Sequence, residues 1–209
     1  MPDPSTLALF VVAALALLVV PGPSVLYIVA RSLHQGRRAG LVSALGVQTG
    51  GLVHVLAAAV GLSALVLSSA LLFSVVKYLG AAYLVFLGVR TLLGPDAVHE
   101  VQMPAPRRLG QVFWQGALVN ALNPKTALFF LAFLPQFVHP ERGPVALQTL
   151  TLGALFLLLA TLSDGTYALL AGTVGKRLQG NRLFARRQKY VTGGVYIALG
   201  IGTATVGHK

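Results

Sequence analysis

The amino-acid sequence predicts an all-α integral membrane protein, with six transmembrane helices arranged as two inverted three-helix repeats. Three observations support this fold class: a scarcity of charge, a series of long apolar segments, and two pairs of similar segments at a nearly constant separation. Of the 209 residues, 56% are hydrophobic and 10% are charged, whereas roughly 25% of residues in a typical soluble domain are charged. The mean hydropathy is +0.77. Such a chain has too few polar residues to supply a soluble surface.

The apolar segments are continuous rather than alternating, which favours helices over a barrel. A transmembrane helix needs about 20 apolar residues. The predicted spans are residues 5–30, two spans within 39–89 with a turn near residues 68 and 69, then 109–140, 143–175 and 190–206. No Lys or Arg precedes the first apolar segment, so we expect it to be the first span of the mature protein and not a cleaved signal peptide.

Loop charge predicts the orientation of these spans. The net charge is +11, and twelve of the sixteen Lys and Arg fall in the first, third and fifth loops. These are Arg31, Arg37, Arg38, Arg90, Arg107, Arg108, Lys176, Arg177, Arg182, Arg186, Arg187 and Lys189. The positive-inside rule places these loops in the cytoplasm and both termini outside. The clustering indicates an orientation signal rather than nucleic-acid binding. The basic run 176–189 either contacts anionic lipid headgroups or serves only to fix the topology.

Several function classes are excluded by what the sequence lacks. There is no cysteine, which excludes disulfides, thiolate metal sites and thiol redox chemistry. No zinc-protease HExxH, phosphate-binding loop or GxSxG nucleophile elbow occurs. We therefore expect no cofactor, no metal and no enzymatic activity, and any transport should be secondary rather than ATP-driven.

Two pairs of segments indicate an internal repeat. The segment KYLGAAYLVFLGVRTL at residue 77 matches KYVTGGVYIALGIGTA at residue 189 in five of sixteen positions. The segment VHVLAAAVG at residue 53 matches YALLAGTVG at residue 167 in four of nine, so the offsets are 112 and 114. An odd number of spans per repeat inverts the second copy, as in many secondary transporters. We predict one transporter domain over 1–209, with repeat one at about 1–93, a cytoplasmic loop at about 94–110 and repeat two at about 111–209.

Each repeat begins with a helix that prolines interrupt. The first span contains Pro21, Gly22 and Pro23, and the fourth contains Asn123 followed by Pro124. A proline lacks the backbone N–H and leaves a carbonyl one turn earlier without its partner. In lipid such a break is tolerated where protein or a water-filled cavity satisfies the carbonyl. Two breaks in corresponding positions predict a substrate site for a zwitterion, and the alternative is a pair of packing kinks.

The chain resembles the LysE/RhtB family of amino-acid exporters over nearly its whole length. The segments that carry the resemblance are PGP (21–23), GVQTGGLVH (46–54), KYLGAAYLVFLG (77–88) and NALNPKTALFFLAFLPQF (120–137). The resemblance implies export of amino acids or their derivatives across the bacterial inner membrane, driven by the proton gradient, and leaves a homodimer open. It does not identify the substrate, although the few charges near the predicted site favour a neutral amino acid.

Apart from Lys77, which is expected to be a snorkelling anchor at the end of the third span, two charges lie inside the predicted spans, Lys125 and Asp164. A charge at the bilayer centre costs at least about 2.5–3.5 kcal/mol, so it is usually paired or functional. Asp164 is the only acidic residue within a span, which makes it the candidate for proton coupling. The alternative is a static ion pair that joins spans four and five.

The remaining candidate residues are uncharged. Ser24, Gln48, Asn120 and Asn123 are predicted substrate hydrogen-bond partners, although such residues also bind helices together. The predicted substrate site comprises these four residues with Pro21, Gly22, Pro23, Pro124 and Lys125. Glycines 46, 50 and 51 are expected to permit close helix packing, and His54 is expected to be structural. The competing hypotheses are a passive channel or facilitator, and a membrane assembly subunit or intramembrane enzyme that transports nothing.

Overall fold

The structure is a computed structural model that describes residues 2–19, 21–68 and 106–178, with isolated helical positions between 75 and 93 and between 190 and 201. The α-helices are α1 (Pro4–Val19), α2 (Pro23–Gln35), α3 (Arg37–Ser68), α4 (Leu109–Ala121), α5 (Pro124–Leu128) and α6 (Val145–Leu178). A π-helical turn (Phe129–Phe133) and a 3-10 turn (Leu134–Phe137) continue α5, and a further 3-10 turn (Pro140–Arg142) precedes α6. The described part of the chain contains no strand, and the predicted all-α membrane class is confirmed.

Helices α3 and α6 are each long and apolar enough to cross a membrane, over Arg37–Ala64 and Val145–Ala171. The pairs α1–α2 and α4–α5 pass the same test as bent units, which gives up to four spans in the described chain. These correspond to the predicted spans one, two, four and five. The predicted third and sixth spans, and the basic loop beyond residue 178, lie outside the described residues except for single helical positions. The count of six, the repeat boundaries and the placement of the termini therefore stay predictions.

Both predicted breaks are present. Helix α1 ends at Val19, and α2 begins at Pro23 after a bend of 54°. Helix α4 ends at Ala121, and α5 begins at Pro124 after a bend of 44°. Proline occupies the beginning of the second helix in each case, where its missing N–H has no intrahelical partner to lose.

The two broken helices cross in opposite directions. Ser24 in α2 bonds to Asn120 in α4, whereas Leu17 in α1 bonds to Lys125 in α5. As the residue number increases along one broken helix, the number of its partner decreases along the other. An inverted repeat requires this antiparallel relation between its corresponding helices.

Glycines bring α3 against its neighbours. A Cβ atom added at Gly46 would lie 2.0 Å from the Phe113 carbonyl oxygen, and one at Gly50 would lie 2.1 Å from that of Ala117. A Cβ atom at Gly51 would meet a side chain of α6 at 2.6 Å. At Gly46 and Gly50 the obstacle is backbone, which leaves no room for a side chain, whereas at Gly51 it is the end of a flexible leucine side chain. The close packing predicted for these glycines is therefore what the structure has.

Aromatic side chains fill the core between α1, the α5 continuation and α6. Phe129 stacks on Phe156 with ring centroids 4.5 Å apart, and Phe10 meets Phe137 edge-on at 5.2 Å. All four side chains are buried. Offset and edge-on arrangements are the favourable geometries for aromatic pairs, and this cluster fixes the helices beside the second break.

Five basic residues assigned to loops from the sequence lie in helices: Arg31 in α2, Arg37 and Arg38 at the beginning of α3, and Lys176 and Arg177 at the end of α6. Helix α2 continues to Gln35, and Gly36 alone, with φ of +83°, joins it to α3. The Arg31 side chain is 2% exposed. Its guanidinium donates to Gln35 Oε1 at 2.7 Å and to Gln115 Oε1 at 2.9 Å, and it lies over the Tyr27 ring. Amide oxygens and an aromatic face thus replace the water that a loop arginine would have.

Candidate functional site

A cavity lies where the two helix breaks meet, between α1, α2, α3, α4, α5 and α6. Its volume is about 40 Å³, which is enough for roughly three water molecules. The lining residues are Leu17, Leu18, Gly22, Ser24, Val25, Val47, Gln48, Asn120, Asn123, Lys125, Thr126, Phe156, Ala160 and Asp164. Seven of the ten predicted site residues line it. The other three, Pro21, Pro23 and Pro124, do not line the cavity. They lie at the breaks in the helices that surround it.

The two prolines of the first break deprive two backbone carbonyls of a helical donor. The carbonyls of Leu17 and Val19 each lie four residues before a proline, which has no N–H to donate. Lys125 Nζ donates to the Leu17 oxygen at 2.8 Å, and Tyr167 Oη donates to the Val19 oxygen at 2.9 Å. Side chains from α5 and α6 thus replace the two missing backbone donors.

The second break leaves one such carbonyl, that of Asn120, four residues before Pro124. It accepts from the Asn123 N–H at 3.0 Å and from His54 Nε2 at 2.8 Å. A carbonyl oxygen can only accept, so His54 must carry its proton on Nε2 in this contact. His54 therefore has the structural role expected of it.

A hydrogen-bonded network of buried side chains joins the two breaks. Ser24 Oγ donates to Asn120 Oδ1 at 3.1 Å, and Thr126 Oγ1 donates to the same oxygen at 3.0 Å. Asn123 Nδ2 donates to Ser24 Oγ at 2.9 Å, and Asn120 Nδ2 donates to the Val47 carbonyl at 2.7 Å. These groups hold α2, α3, α4 and α5 together around the cavity. Ser24, Asn120 and Asn123 therefore bind helices to one another in this conformation.

The cavity wall carries one cationic and one acidic side chain. Lys125 reaches it from α5, and Asp164 reaches it from α6. Asp164 is 4% exposed and accepts a hydrogen bond from Gln48 Nε2 at 2.7 Å. An ammonium, a carboxylate and an amide that face one small space are complementary to a zwitterion. The cavity is too small for an amino acid until its walls separate.

Three contributors were not found from the sequence: the Leu17 carbonyl, Thr126 and Tyr167. The carbonyl was accessible to sequence reasoning, because counting four residues back from each proline identifies the freed oxygens. Tyr167 lies three residues after Asp164, a spacing that places both on one side of a helix. No local signal distinguishes Thr126 from the other hydroxyl residues of these helices.

A cavity between two broken, antiparallel membrane helices is the arrangement in which many secondary transporters bind their substrates. The chain matches the model of one family, described as LysE type translocator, over residues 15–206. The protein belongs to this family, and the resemblance inferred from its motifs is confirmed. Among the described residues there is no group of three or more His, Cys, Asp or Glu that could hold a metal ion.

Three relatives illustrate its place in the family. An uncharacterised membrane protein of Bacillus subtilis is 32% identical, over 95% of this chain and 98% of its own length. An uncharacterised membrane protein of Pseudomonas aeruginosa is 33% identical, over 95% and 90%. The homoserine/homoserine lactone efflux protein of Salmonella typhimurium is 29% identical, over 90% of each chain. No solved structure matches the chain.

Proposed function

We propose that the protein is a secondary transporter of the bacterial inner membrane that exports amino acids or their derivatives in exchange for protons. The observation that carries this proposal is the buried cavity shared by Lys125 and Asp164, between two broken helices. Membership of a translocator family supports a transport role, and one relative is named for efflux of homoserine and homoserine lactone.

The cavity favours small neutral amino acids. Among the described residues that line it, one is cationic and one is acidic, so together they offer no excess charge to attract a second charge on the substrate. The other lining side chains are aliphatic, aromatic, amide or hydroxyl. A zwitterion of the size of homoserine or threonine fits this chemistry better than lysine or arginine does.

Asp164 is the proposed proton-coupling residue. The titratable side chains around it are Lys125 of α5 and Tyr167 of α6. With the cavity open to the outside, Asp164 takes up a proton after the substrate leaves. With the cavity open to the cytoplasm, it releases that proton to water as substrate binds. One substrate thus moves outward as a proton moves inward.

The test is Asp164→Asn in proteoliposomes loaded with labelled amino acids. Asparagine has nearly the same shape as aspartate but cannot ionise, so proton-driven efflux should be abolished while exchange of substrate across the membrane persists. The matched control is Glu141→Gln, which neutralises an exposed acid outside the cavity and should leave efflux unchanged. Well-folded Asp164→Asn protein that still concentrates substrate against a gradient would exclude Asp164 as the coupling residue.

A structural role for Asp164 predicts a different pattern. Removing one partner of a buried charge pair leaves the other charge uncompensated, which is strongly destabilising. If the role is structural, Asp164→Asn lowers the protein level and added Lys125→Met restores it. The passive facilitator is recognised separately, because its efflux runs only downhill and does not respond to a proton uncoupler.

A further inference from the structure

We propose that Lys125 is an internal substitute for the ammonium group of the substrate, which must displace it from the first helix break in order to bind. This inference rests on the proposed function, and it assigns the position of the substrate ammonium. In this role Lys125 competes with the substrate ammonium and is not a fixed contact to the substrate.

The first argument is the position of the lysine ammonium. Lys125 Nζ lies 2.8 Å from the Leu17 oxygen, the carbonyl that Pro21 leaves without a backbone donor. Unwound carbonyls of broken helices are the groups with which transporters coordinate cations. In this conformation the cation at that position belongs to the protein itself.

The second argument is the glycine beside it. A Cβ atom at Gly22 would lie 2.9 Å from Lys125 Cδ, and the two next nearest atoms also belong to this lysine. The backbone does not require glycine there, because φ is −105° and any residue adopts such a conformation. The space above Gly22 is therefore used for the lysine stem, which lies directly against the break.

The third argument is chemical equivalence. The lysine ammonium and the α-ammonium of an amino acid offer the same three donors. The neighbouring Val19 carbonyl accepts from the neutral hydroxyl of Tyr167. A substrate ammonium can therefore replace Lys125 on the Leu17 oxygen without loss of a charge-assisted hydrogen bond. A molecule that lacks an ammonium cannot make this exchange.

Displacement of Lys125 also explains how binding leads to proton release. The flexible lysine stem keeps the displaced ammonium within the cavity, where Asp164 is the acidic group. A cation beside a carboxylate stabilises the ionised form, so the proton passes from Asp164 to cytoplasmic water as the substrate binds. When the substrate leaves on the outside, Lys125 returns to the Leu17 carbonyl and Asp164 takes up a proton again.

The first experiment measures binding and transport separately for Lys125→Met. The probe is labelled L-homoserine, with L-threonine and L-leucine as further probes, and the full-length protein is reconstituted in proteoliposomes. The variant has no internal competitor, so the affinity should rise by roughly tenfold, the lower range for a hydrogen bond to a charged group. Proton-coupled net efflux should fall at the same time. A purely structural lysine predicts unchanged or weaker affinity, and that result would overturn the inference.

The second experiment leaves the lysine in place. In Gly22→Ala the new methyl group meets Lys125 Cδ and should push the lysine away from the carbonyl, which raises the affinity for the probe. In a Lys125→Ala background there is no Cδ atom to meet, so the same change should have no effect. Gly61→Ala is the matched control, because a Cβ atom there meets nothing within 4 Å. Equal effects of Gly22→Ala in both backgrounds would contradict the inference.

The outcomes separate the two proposals. If the unmodified protein neither binds nor moves any of the amino-acid probes, the proposed function is wrong and this inference is wrong with it. If it transports them but Gly22→Ala leaves the affinity unchanged, only the assignment of Lys125 is wrong. Competition by 4-hydroxybutyrate, which is homoserine without the amino group, should be absent, and effective competition would also overturn the inference.

Discussion

The two helix breaks obtain their missing hydrogen bonds from different parts of the molecule. At the first break, the residue before α2 is Gly22, which has no side chain to cap the helix. Its two freed carbonyls depend on Lys125 and Tyr167, which lie more than a hundred residues away along the chain. The first break is therefore stable only while other helices stay in contact with it.

The second break is largely satisfied by its own residues. Asn123 caps α5 by accepting from the Lys125 N–H at 3.0 Å, and its own N–H donates to the Asn120 carbonyl. A second donor to that carbonyl, His54, comes from α3. The phenylalanine-rich turn that follows is buried. If Lys125 acts as proposed, the two breaks have different roles: the first exchanges partners during transport, and the second serves as its fixed support.

The largest expected effect is that of Pro23→Ala, the sharpest test of this difference in roles. The new N–H at residue 23 can bond to the Val19 carbonyl and favours a straight helix by up to about 3 kcal/mol. This corresponds to roughly a hundredfold change in the population of the broken form, so efflux should be largely lost although the protein remains in the membrane. Pro124→Ala should reduce efflux less, because the Asn120 carbonyl already has a local donor. Normal export by both variants would mean that the prolines are packing kinks.

An intermediate effect is expected for Asn123→Ala, and it should appear in stability. The change removes the helix cap and the bond to Ser24, which together contribute about 1–3 kcal/mol. Thermal unfolding in detergent should show a clear decrease in melting temperature. Asn123→Asp keeps an acceptor for the Lys125 N–H and should lose less. If Ser24→Ala lowers the stability as much as Asn123→Ala does, the second break is not the fixed support of the first.

The smallest effect is expected for Tyr167→Phe, which removes the hydroxyl that donates to Val19. A neutral hydrogen bond has a net contribution of about 0.5–1.5 kcal/mol, so efflux should change by roughly two- to tenfold. Because this change alters the first break and not the second, KM for L-homoserine should change and the protein level should not. A fall in protein level with unchanged KM would place Tyr167 among the structural residues.

The two helix breaks were predictable because they depend on local chemistry. Proline and glycine interrupt a helix wherever they occur in these positions, so both breaks could be located from the sequence. The glycines of α3 were also assigned correctly, since small residues permit close contact between membrane helices.

The partners across the cavity could not be predicted in the same way. Which side chain reaches the Leu17 or Val19 carbonyl depends on how six helices pack, and no local pattern encodes that. Arg31 was misassigned for a related reason. A charge at the end of an apolar segment looks like a loop residue until the structure supplies Gln35 and Gln115 as its partners.

The close contact between α3 and α4 sets a dimension of the cavity. Gln48 lies between Gly46 and Gly50 on α3, and Asn120 faces the same cavity from α4. A methyl group at either glycine would lie about 2 Å from a carbonyl oxygen, whereas such atoms normally stay about 3.3–3.6 Å apart. The two glycines thus fix the distance between the helices that carry Gln48 and Asn120, and a larger residue at either position would have to move these two side chains apart.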